Sequence, residues 1–305
     1  MKKKVLVCDE ISESGVRALR DAGLDVQLKL DLSKEQLIEE LSKCDAVIVR
    51  SRTKLTKDMI QAGKSLKAIG RAGVGLDTID VEAAKSLGIK VLDAAQASTA
   101  SVAELAIGLM LALARNIPKG DSSMKEGKWL KSQLSGSLLQ GKTLGIIGFG
   151  RIGVHIARIA RSMGMNILVS DPKLNSKCLE EVCAKSLPLE DLLKESDVVT
   201  LNVALTADTK GLMNETNLRK MKRGAILINT SRGKIVDEKA LLKALKEGWI
   251  AGAGLDVFES EPPTDWELMK IPNVVCTPHI GAQTKEAQEL VSTIIAQRVI
   301  ETLRD

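Results

Sequence analysis

The chain has two histidines, His155 and His279, and histidine is the side chain whose ordinary pKa suits accepting a proton and returning it near neutral pH. His155 lies two residues past a glycine-rich turn, inside a helical pattern, and reads as an ordinary helix residue. His279, in Thr277-Pro278-His279-Ile280-Gly281, directly follows a short apolar run. That is the carboxyl edge where α/β sheets place ligands, so His279 is the candidate acid–base group. The planar carboxylate of a hydroxy acid is best matched by an arginine fork, and Arg232 follows another such run in Asn229-Thr230-Ser231-Arg232-Gly233. Glu261, in Asp256-Val257-Phe258-Glu259-Ser260-Glu261-Pro262, offers a carboxylate that would hold one tautomer of the histidine and favour its protonated form. Together the three suit the oxidation of a secondary alcohol beside a carboxylate. Taken singly they read equally well as a surface Arg, a solvated Glu and a core-edge His, and periodicity does not bring them together.

A hydride acceptor is suggested upstream. Thr143-Leu144-Gly145-Ile146-Ile147-Gly148-Phe149-Gly150-Arg151-Ile152-Gly153 is an apolar strand running into G-x-G-x-x-G, and Val154 to Met163 continues as a helical pattern. Gly148 permits the tight turn, Gly150 lets the backbone approach a pyrophosphate, and Gly153 lets helix and strand pack closely. The helix N-terminus turns unpaired amides toward the anion. Asp171, eighteen residues past Gly153 at the end of the next strand, can accept hydrogen bonds from both hydroxyls of an adenosine ribose and would repel a 2′-phosphate. The expected cofactor is NAD rather than NADP, with Lys173 nearby allowing some tolerance. The alternative is that these glycines serve only a strand-to-helix turn.

The elements that must position these residues alternate. Short β-branched runs at Val5 to Cys8, Asp25 to Leu30, Ala46 to Val49, Lys67 to Gly70 and Ile89 to Leu92 are separated by longer helical patterns. This alternation predicts a parallel sheet. A second series follows at Thr143 to Gly148, Asn166 to Asp171, Asp197 to Val203, Ala225 to Thr230, Ile250 to Val257 and Asn273 to Thr277, six strands that suit a dinucleotide fold. Between the series a helix is expected from about Ser98 to Arg115, with Ser98 or Thr99 as its cap and Pro118 just beyond its end. Lys285 to Leu303 reads as one more amphipathic helix, and Ser132 to Gly141 as a loop or arm.

At 305 residues, two domains are expected. With 44% hydrophobic and 27% charged residues the chain falls among ordinary globular proteins and outside disordered or fibrous ones. The net charge of +5 comes from cations interspersed with acids, which fits small anionic ligands better than nucleic acid. Aromatics at 2% leave little for base stacking. Five cysteines without a CxxC pair indicate neither a disulfide framework nor a metal site. No signal peptide is expected, because only Val5 to Cys8 separates Lys2–Lys4 from Asp9 and Glu10, and Glu104 interrupts the most membrane-like stretch, Ala94 to Ala114. A cytoplasmic protein without membrane association is the expectation.

Six pieces then combine: Val49-Arg50-Ser51-Arg52-Thr53-Lys54, Gly70-Arg71-Ala72-Gly73-Val74-Gly75-Leu76-Asp77, Gly141 to Gly153, Asn229 to Gly233, Gly254 to Pro262 and Pro278 to Ala282. With these the chain resembles the D-isomer-specific 2-hydroxyacid dehydrogenases over nearly its whole length. The resemblance implies that Arg232 orients the substrate carboxylate and keto oxygen, that His279 is the acid–base and that Glu261 is its partner. It places Arg151, Ile152, Asp171, Asn202, Val203, Thr230, Ser231, Asp256, Gly281 and Ala282 with Gly148, Gly150 and Gly153 around NAD, and the amides of Val74 and Gly75 at the substrate carboxylate. It implies an α/β fold of two doubly wound parallel-sheet domains, a Rossmann NAD-binding domain (98–283) inserted into a flavodoxin-like substrate-binding domain (1–97 and 284–305) on which the C-terminal helix folds back. A homodimer through the 99–141 region is expected as well.

Within the family the likeness is to members that oxidise 3-phospho-D-glycerate to 3-phosphohydroxypyruvate, the first step of serine biosynthesis. That substrate has a second anionic end, for which Arg50, Ser51 and Arg52, with Lys54, are the candidates and Arg71 a weaker one; the alternative for this segment is a solvated charged loop. Glyoxylate or hydroxypyruvate reduction, and NAD sensing by a corepressor-like binding protein, are the rival functions. Two stretches depart from the family: Asp93-Ala94-Ala95 stands where Asn-Thr-Pro is frequent, and Asn202-Val203-Ala204 where His-x-Pro is. Since the sequence ends at Asp305 without a C-terminal regulatory domain, serine feedback is not expected.

Overall fold

The computed structural model describes residues 2–304, and the chain divides into two compact units: unit 1 runs to Thr99 and resumes at Ala282, and unit 2 runs from Ala100 to Gly281. Unit 1 begins with β1 (Lys4–Val7), α1 (Glu13–Asp21), β2 (Asp25–Leu28), α2 (Lys34–Leu41), β3 (Ala46–Val49), α3 (Lys57–Ala62), β4 (Ala68–Arg71), α4 (Val81–Ser86) and β5 (Lys90–Leu92). Its strands are parallel in the order β2-β1-β3-β4-β5. All four residues of β3 are buried, as a central parallel strand covered on both faces requires.

Unit 2 contains α5 (Thr99–Ala114), α6 (Ile117–Lys125), β6 (Thr143–Ile147), α7 (Arg151–Ser162), β7 (Asn166–Ser170), α8 (Ser176–Glu181), β8 (Lys185–Ser186), α9 (Leu189–Glu195), β9 (Val198–Leu201), α10 (Glu215–Lys220), β10 (Ile226–Asn229), α11 (Glu238–Lys246), β11 (Gly252–Leu255) and β12 (Val274–Cys276). The chain closes with α12 (Lys285–Arg304). The sheet order β12-β11-β10-β9-β6-β7-β8 reverses between β6 and β9, where open α/β sheets form a ligand crevice. Both sheets are thus doubly wound, and unit 2 is inserted into unit 1.

Helix α12 belongs to unit 1. Its Val291, Ile295, Val299, Ile300 and Leu303 pack with Val5, Val7, Ala46, Ile48 and Ala68 in one buried cluster. Arg298 ties it down further, donating to the Asp93 carbonyl at 2.7 Å and the Asp93 carboxylate at 3.2 Å. The departure at Asp93 therefore supplies an anchor for the C-terminal helix.

One expectation needs correction. The second sheet has seven strands rather than six: the added β8 is two exposed polar residues on the sheet edge, without the apolar run that marks a buried strand. Pro118 lies just beyond the end of the long helix, as expected, and occupies the first turn of α6, where its missing N–H and fixed φ are tolerated. The turn between the two helices is made by Asn116 at φ 53°. The loop after α6 is pinned to the end of α5, with Ser137 N donating to the Ala114 carbonyl at 2.8 Å. No single helix among the described residues is long and apolar enough to cross a membrane.

Candidate active site

The glycine-rich turn after β6 is built as its sequence requires. Gly148 has φ +91°, and a Cβ there would lie 2.6 Å from the Asn202 carbonyl oxygen beyond β9. At Gly153 a Cβ would come within 2.3 Å of the Gly148 carbonyl oxygen, so α7 packs against the turn only through glycine. Gly150 is different: as the N-cap of the twelve-residue α7, it has no heavy atom within 4 Å of the place a Cβ would take. The fingerprint thus divides into two glycines that the fold requires and one that leaves space beside a helix N-terminus.

Asp171, at the end of β7, is held by its neighbours. Its Oδ2 accepts from Phe149 N at 2.6 Å and its Oδ1 from Lys173 N at 2.7 Å. Each oxygen retains a lone pair for a ribose hydroxyl, and the fixed negative charge disfavours a phosphate there. Asn202 and Thr230 follow β9 and β10, and Asn202 Oδ1 and Thr230 Oγ1 are buried without a hydrogen-bond partner among the described residues. Unpaired buried acceptors of this kind are costly unless a ligand or water satisfies them. Val203 also follows β9, Ser231 follows Thr230, and Arg151 and Ile152 open α7. Space at Gly150, a fixed carboxylate at Asp171 and two unpaired oxygens fit a dinucleotide.

Arg232, Glu261 and His279 leave the carboxyl ends of β10, β11 and β12, three neighbouring strands. Asn229, fully buried, knots the first loop: its Nδ2 donates to the Arg232 carbonyl at 2.9 Å, while its Oδ1 accepts from Ser231 N at 3.1 Å and Ser231 Oγ at 2.8 Å. A Cβ at Gly233 would lie 1.9 Å from the Phe258 carbonyl carbon, so glycine at this position lets the Arg232 loop press against the one bearing Glu261. Arg232 Nη1 donates to the Ser231 carbonyl at 2.7 Å.

His279 Nδ1 is 2.6 Å from Glu261 Oε2, and Glu261 Oε1 accepts from Phe258 N at 3.1 Å. The Glu261 hydrogen bond lifts the imidazole above its ordinary value against the effect of burial, Asp256 adds to the rise and Arg232 opposes it. Burial pushes Glu261 upward, yet His279, the Phe258 amide and Arg232 together hold it below the usual carboxylate range. The three residues predicted from sequence therefore form one electrostatic group. His155, the other histidine, lies within α7.

Asp256, expected near the cofactor, is 1% exposed and organises the histidine loop. Its carboxylate accepts from Thr277 Oγ1 at 2.6 Å, Ile280 N at 2.8 Å and Gly281 N at 2.8 Å, and its carbonyl from His279 N at 2.8 Å. His279 itself sits at φ 53°, a left-handed conformation that this set of bonds maintains. Gly281 closes unit 2, and Ala282 opens the return to unit 1, its carbonyl accepting from Gln288 Nε2 at 2.6 Å.

In unit 1, Arg50, Ser51 and Arg52 follow β3, and Val74 and Gly75 lie between β4 and α4. Arg71 donates through Nη1 to the Ala72 carbonyl at 2.8 Å. Arg52 is engaged by two carboxylates, Asp9 at 3.0 Å and Asp31. The sequence reading missed Asp9, Asn229 and the positioning of the histidine loop by Asp256. A signal existed for Asp9, a carboxylate closely following an apolar strand in the same manner as Asp171.

The family model described as "D-isomer specific 2-hydroxyacid dehydrogenase, NAD binding domain" matches residues 107–281. A D-3-phosphoglycerate dehydrogenase of Archaeoglobus fulgidus is 48% identical over 298 residues, 97% of this chain and 56% of that protein, so the chain spans little more than half of that relative's length. A hydroxypyruvate reductase of Thermotoga maritima is 48% identical over 275 residues, 89% of each chain. Among solved structures, a glyoxylate reductase from Paecilomyes thermophila superposes with a TM-score of 0.90 at 32% identity, covering 98% of this chain and 94% of that one. With the matched domain go its nicotinamide dinucleotide cofactor and the glycine turn built to receive it. The chain belongs to the D-isomer-specific 2-hydroxyacid dehydrogenase family.

Proposed function

We propose that the chain is an NAD-dependent dehydrogenase that oxidises 3-phospho-D-glycerate to 3-phosphohydroxypyruvate. The observation that carries this reading is the 2.6 Å contact between His279 Nδ1 and Glu261 Oε2 in the electrostatic reach of Arg232. With Nδ1 engaged, Nε2 of His279 takes the proton of the substrate hydroxyl, and Glu261 stabilises the imidazolium that results. Arg232 holds the carboxylate and the oxygen that becomes the ketone, with the amides of Val74 and Gly75 as further donors to the carboxylate. NAD, when bound, supplies the acceptor for the hydride leaving C2. Gly150 and the first amides of α7, with Arg151 and Ile152, receive its pyrophosphate, Asp171 its adenosine ribose, and Asn202, Val203, Thr230, Ser231, Gly281 and Ala282 line the remainder.

Arg50, Ser51 and Arg52 take the substrate phosphate. The likeness to the Archaeoglobus fulgidus enzyme supports this choice. A second reading, reduction of hydroxypyruvate or glyoxylate, is favoured by the engagement of Arg52 with Asp9 and Asp31, which already offsets its charge. Turnover of purified protein with NAD and 3-phosphoglycerate decides. NADH formation is expected; NAD binding without NADH formation would favour a sensor, and preference for unphosphorylated keto acids the second reading. We place the enzyme in the cytoplasm as a homodimer. The 76% exposed Trp129 and 71% exposed Leu138 support that association, for which sedimentation at twice the chain mass is the check.

A further inference from the structure

Asp9 lies two residues past β1 and is 3% exposed. Its Oδ2 accepts from Arg50 N at 2.5 Å and from Thr53 N at 3.3 Å, and its Oδ1 from Arg52 Nε at 3.0 Å. Arg52 Nη2 donates to the Cys8 carbonyl at 3.2 Å, Arg52 Nη1 to Asp31 beyond β2, and Arg50 Nη1 to the Glu10 carbonyl at 3.2 Å. One buried carboxylate therefore gathers two amides and a guanidinium of the segment after β3.

The place of this cluster in the sheet gives it meaning. In the order β2-β1-β3-β4-β5 the winding reverses between β1 and β3, and ligands of such sheets bind outside the carboxyl ends of the strands at that point. Asp9 follows β1 and Arg50 to Thr53 follow β3, so the cluster occupies the switch point of unit 1. A guanidinium carries five N–H donors, and with three directed to Asp9, Cys8 and Asp31 two are left for an anion. Burying a carboxylate is costly unless its partners are fixed, and what this one fixes is the backbone at Arg50 and Thr53 and the guanidinium of Arg52. Asp31, by contrast, has a side chain 77% exposed and competes for the same guanidinium from solvent.

We propose that Asp9 is a positioning residue for the phosphate-bearing end of the substrate, holding through the Arg50 and Thr53 amides and the Arg52 guanidinium the segment whose Arg50 and Arg52 side chains receive the anion, and that Asp31 is the ligand the phosphate displaces from Arg52. The proposal rests on the phosphorylated-substrate reading above. The test compares NADH-dependent reduction of 3-phosphohydroxypyruvate and hydroxypyruvate by the wild type, Asp9→Asn and Asp31→Asn. In D9N the ratio of kcat/KM for the phosphorylated over the unphosphorylated substrate falls at least about tenfold, through KM. In D31N, a surface change, the ratio rises. Proportional loss on both substrates in D9N marks a merely structural role and would overturn the proposal, as would an unmoved ratio in D31N, which decides alone if D9N does not fold. A wild type without preference for the phosphorylated substrate sinks the substrate reading and this inference with it, whereas a preference that survives in D9N sinks the inference alone.

Discussion

His279 presents Nδ1 to Glu261 Oε2 at 2.6 Å, which leaves Nε2 as the acid–base nitrogen for the proposed reaction, its proton affinity raised by a carboxylate on the neighbouring loop. Alcohol oxidation needs the imidazole neutral, and its rate rises as pH climbs through the raised His279 pKa; reduction needs the imidazolium and falls over the same range. Glu261→Gln removes the main cause of the rise. The acid limb of kcat/KM for oxidation and the alkaline limb for reduction both move to lower pH. Profiles measured in the two directions check this, and limbs that stay in place would exclude Glu261 as the partner.

Gly150 and Gly153 predict opposite outcomes for the same substitution. Gly153→Ala drives a Cβ to 2.3 Å from a backbone oxygen, overpacking that costs about 1–3 kcal/mol. Its Tm falls by several degrees in the cofactor-free protein. Gly150→Ala meets no atom within 4 Å and costs under about 1 kcal/mol as a poorer N-cap, yet its methyl occupies the space opposite the helix N-terminus. There the Kd for NAD rises about tenfold or more, and calorimetry with thermal melts separates the two effects. A G150A protein with wild-type NAD affinity would remove the pyrophosphate from this turn.

How much of this was legible follows from how local each signal is. Gly148, Gly150, Gly153 and Asp171 lie within one strand–helix–strand unit, so spacing alone points to the proposed cofactor site. Arg232, Glu261 and His279 lie 47 residues apart in sequence at the extremes and meet because β10, β11 and β12 are adjacent parallel strands, about 4.8 Å from one to the next. Strand order is a tertiary property, and only the family resemblance supplied it from sequence. Asp9 was missed for the same reason, since its link to Arg50 requires the pairing of β1 with β3. β8 has too few residues and too little burial to leave a pattern.

Asp171 is the proposed determinant of cofactor choice, and its carboxylate is already anchored by two backbone amides. In Asp171→Ala the Phe149 and Lys173 amides lose their acceptor and a bound ribose loses two hydrogen bonds to an anion, each contributing about 1.5–3 kcal/mol. KM for NAD rises at least about tenfold, and the NAD to NADP ratio of kcat/KM falls by a similar factor as repulsion of the 2′-phosphate disappears. Steady-state kinetics with both cofactors provide the measurement. An unchanged ratio would rule out Asp171 as the ribose ligand.

Asp256 tests whether the histidine loop must be held in place. Its carboxylate binds Thr277 Oγ1, Ile280 N and Gly281 N, three donors flanking a histidine at φ 53°. In Asp256→Asn an amide group replaces one of two acceptor oxygens, so at least one buried N–H or hydroxyl faces a donor, at a cost of about 1–3 kcal/mol. Thr277→Val removes one donor and leaves the carboxylate its two amides. The expected order is therefore a kcat loss of about tenfold or more in D256N and a smaller one in T277V, with KM for NAD changing less than kcat in both. If D256N instead raises KM for NAD and leaves kcat intact, Asp256 acts on the cofactor directly and the loop keeps His279 in position without it.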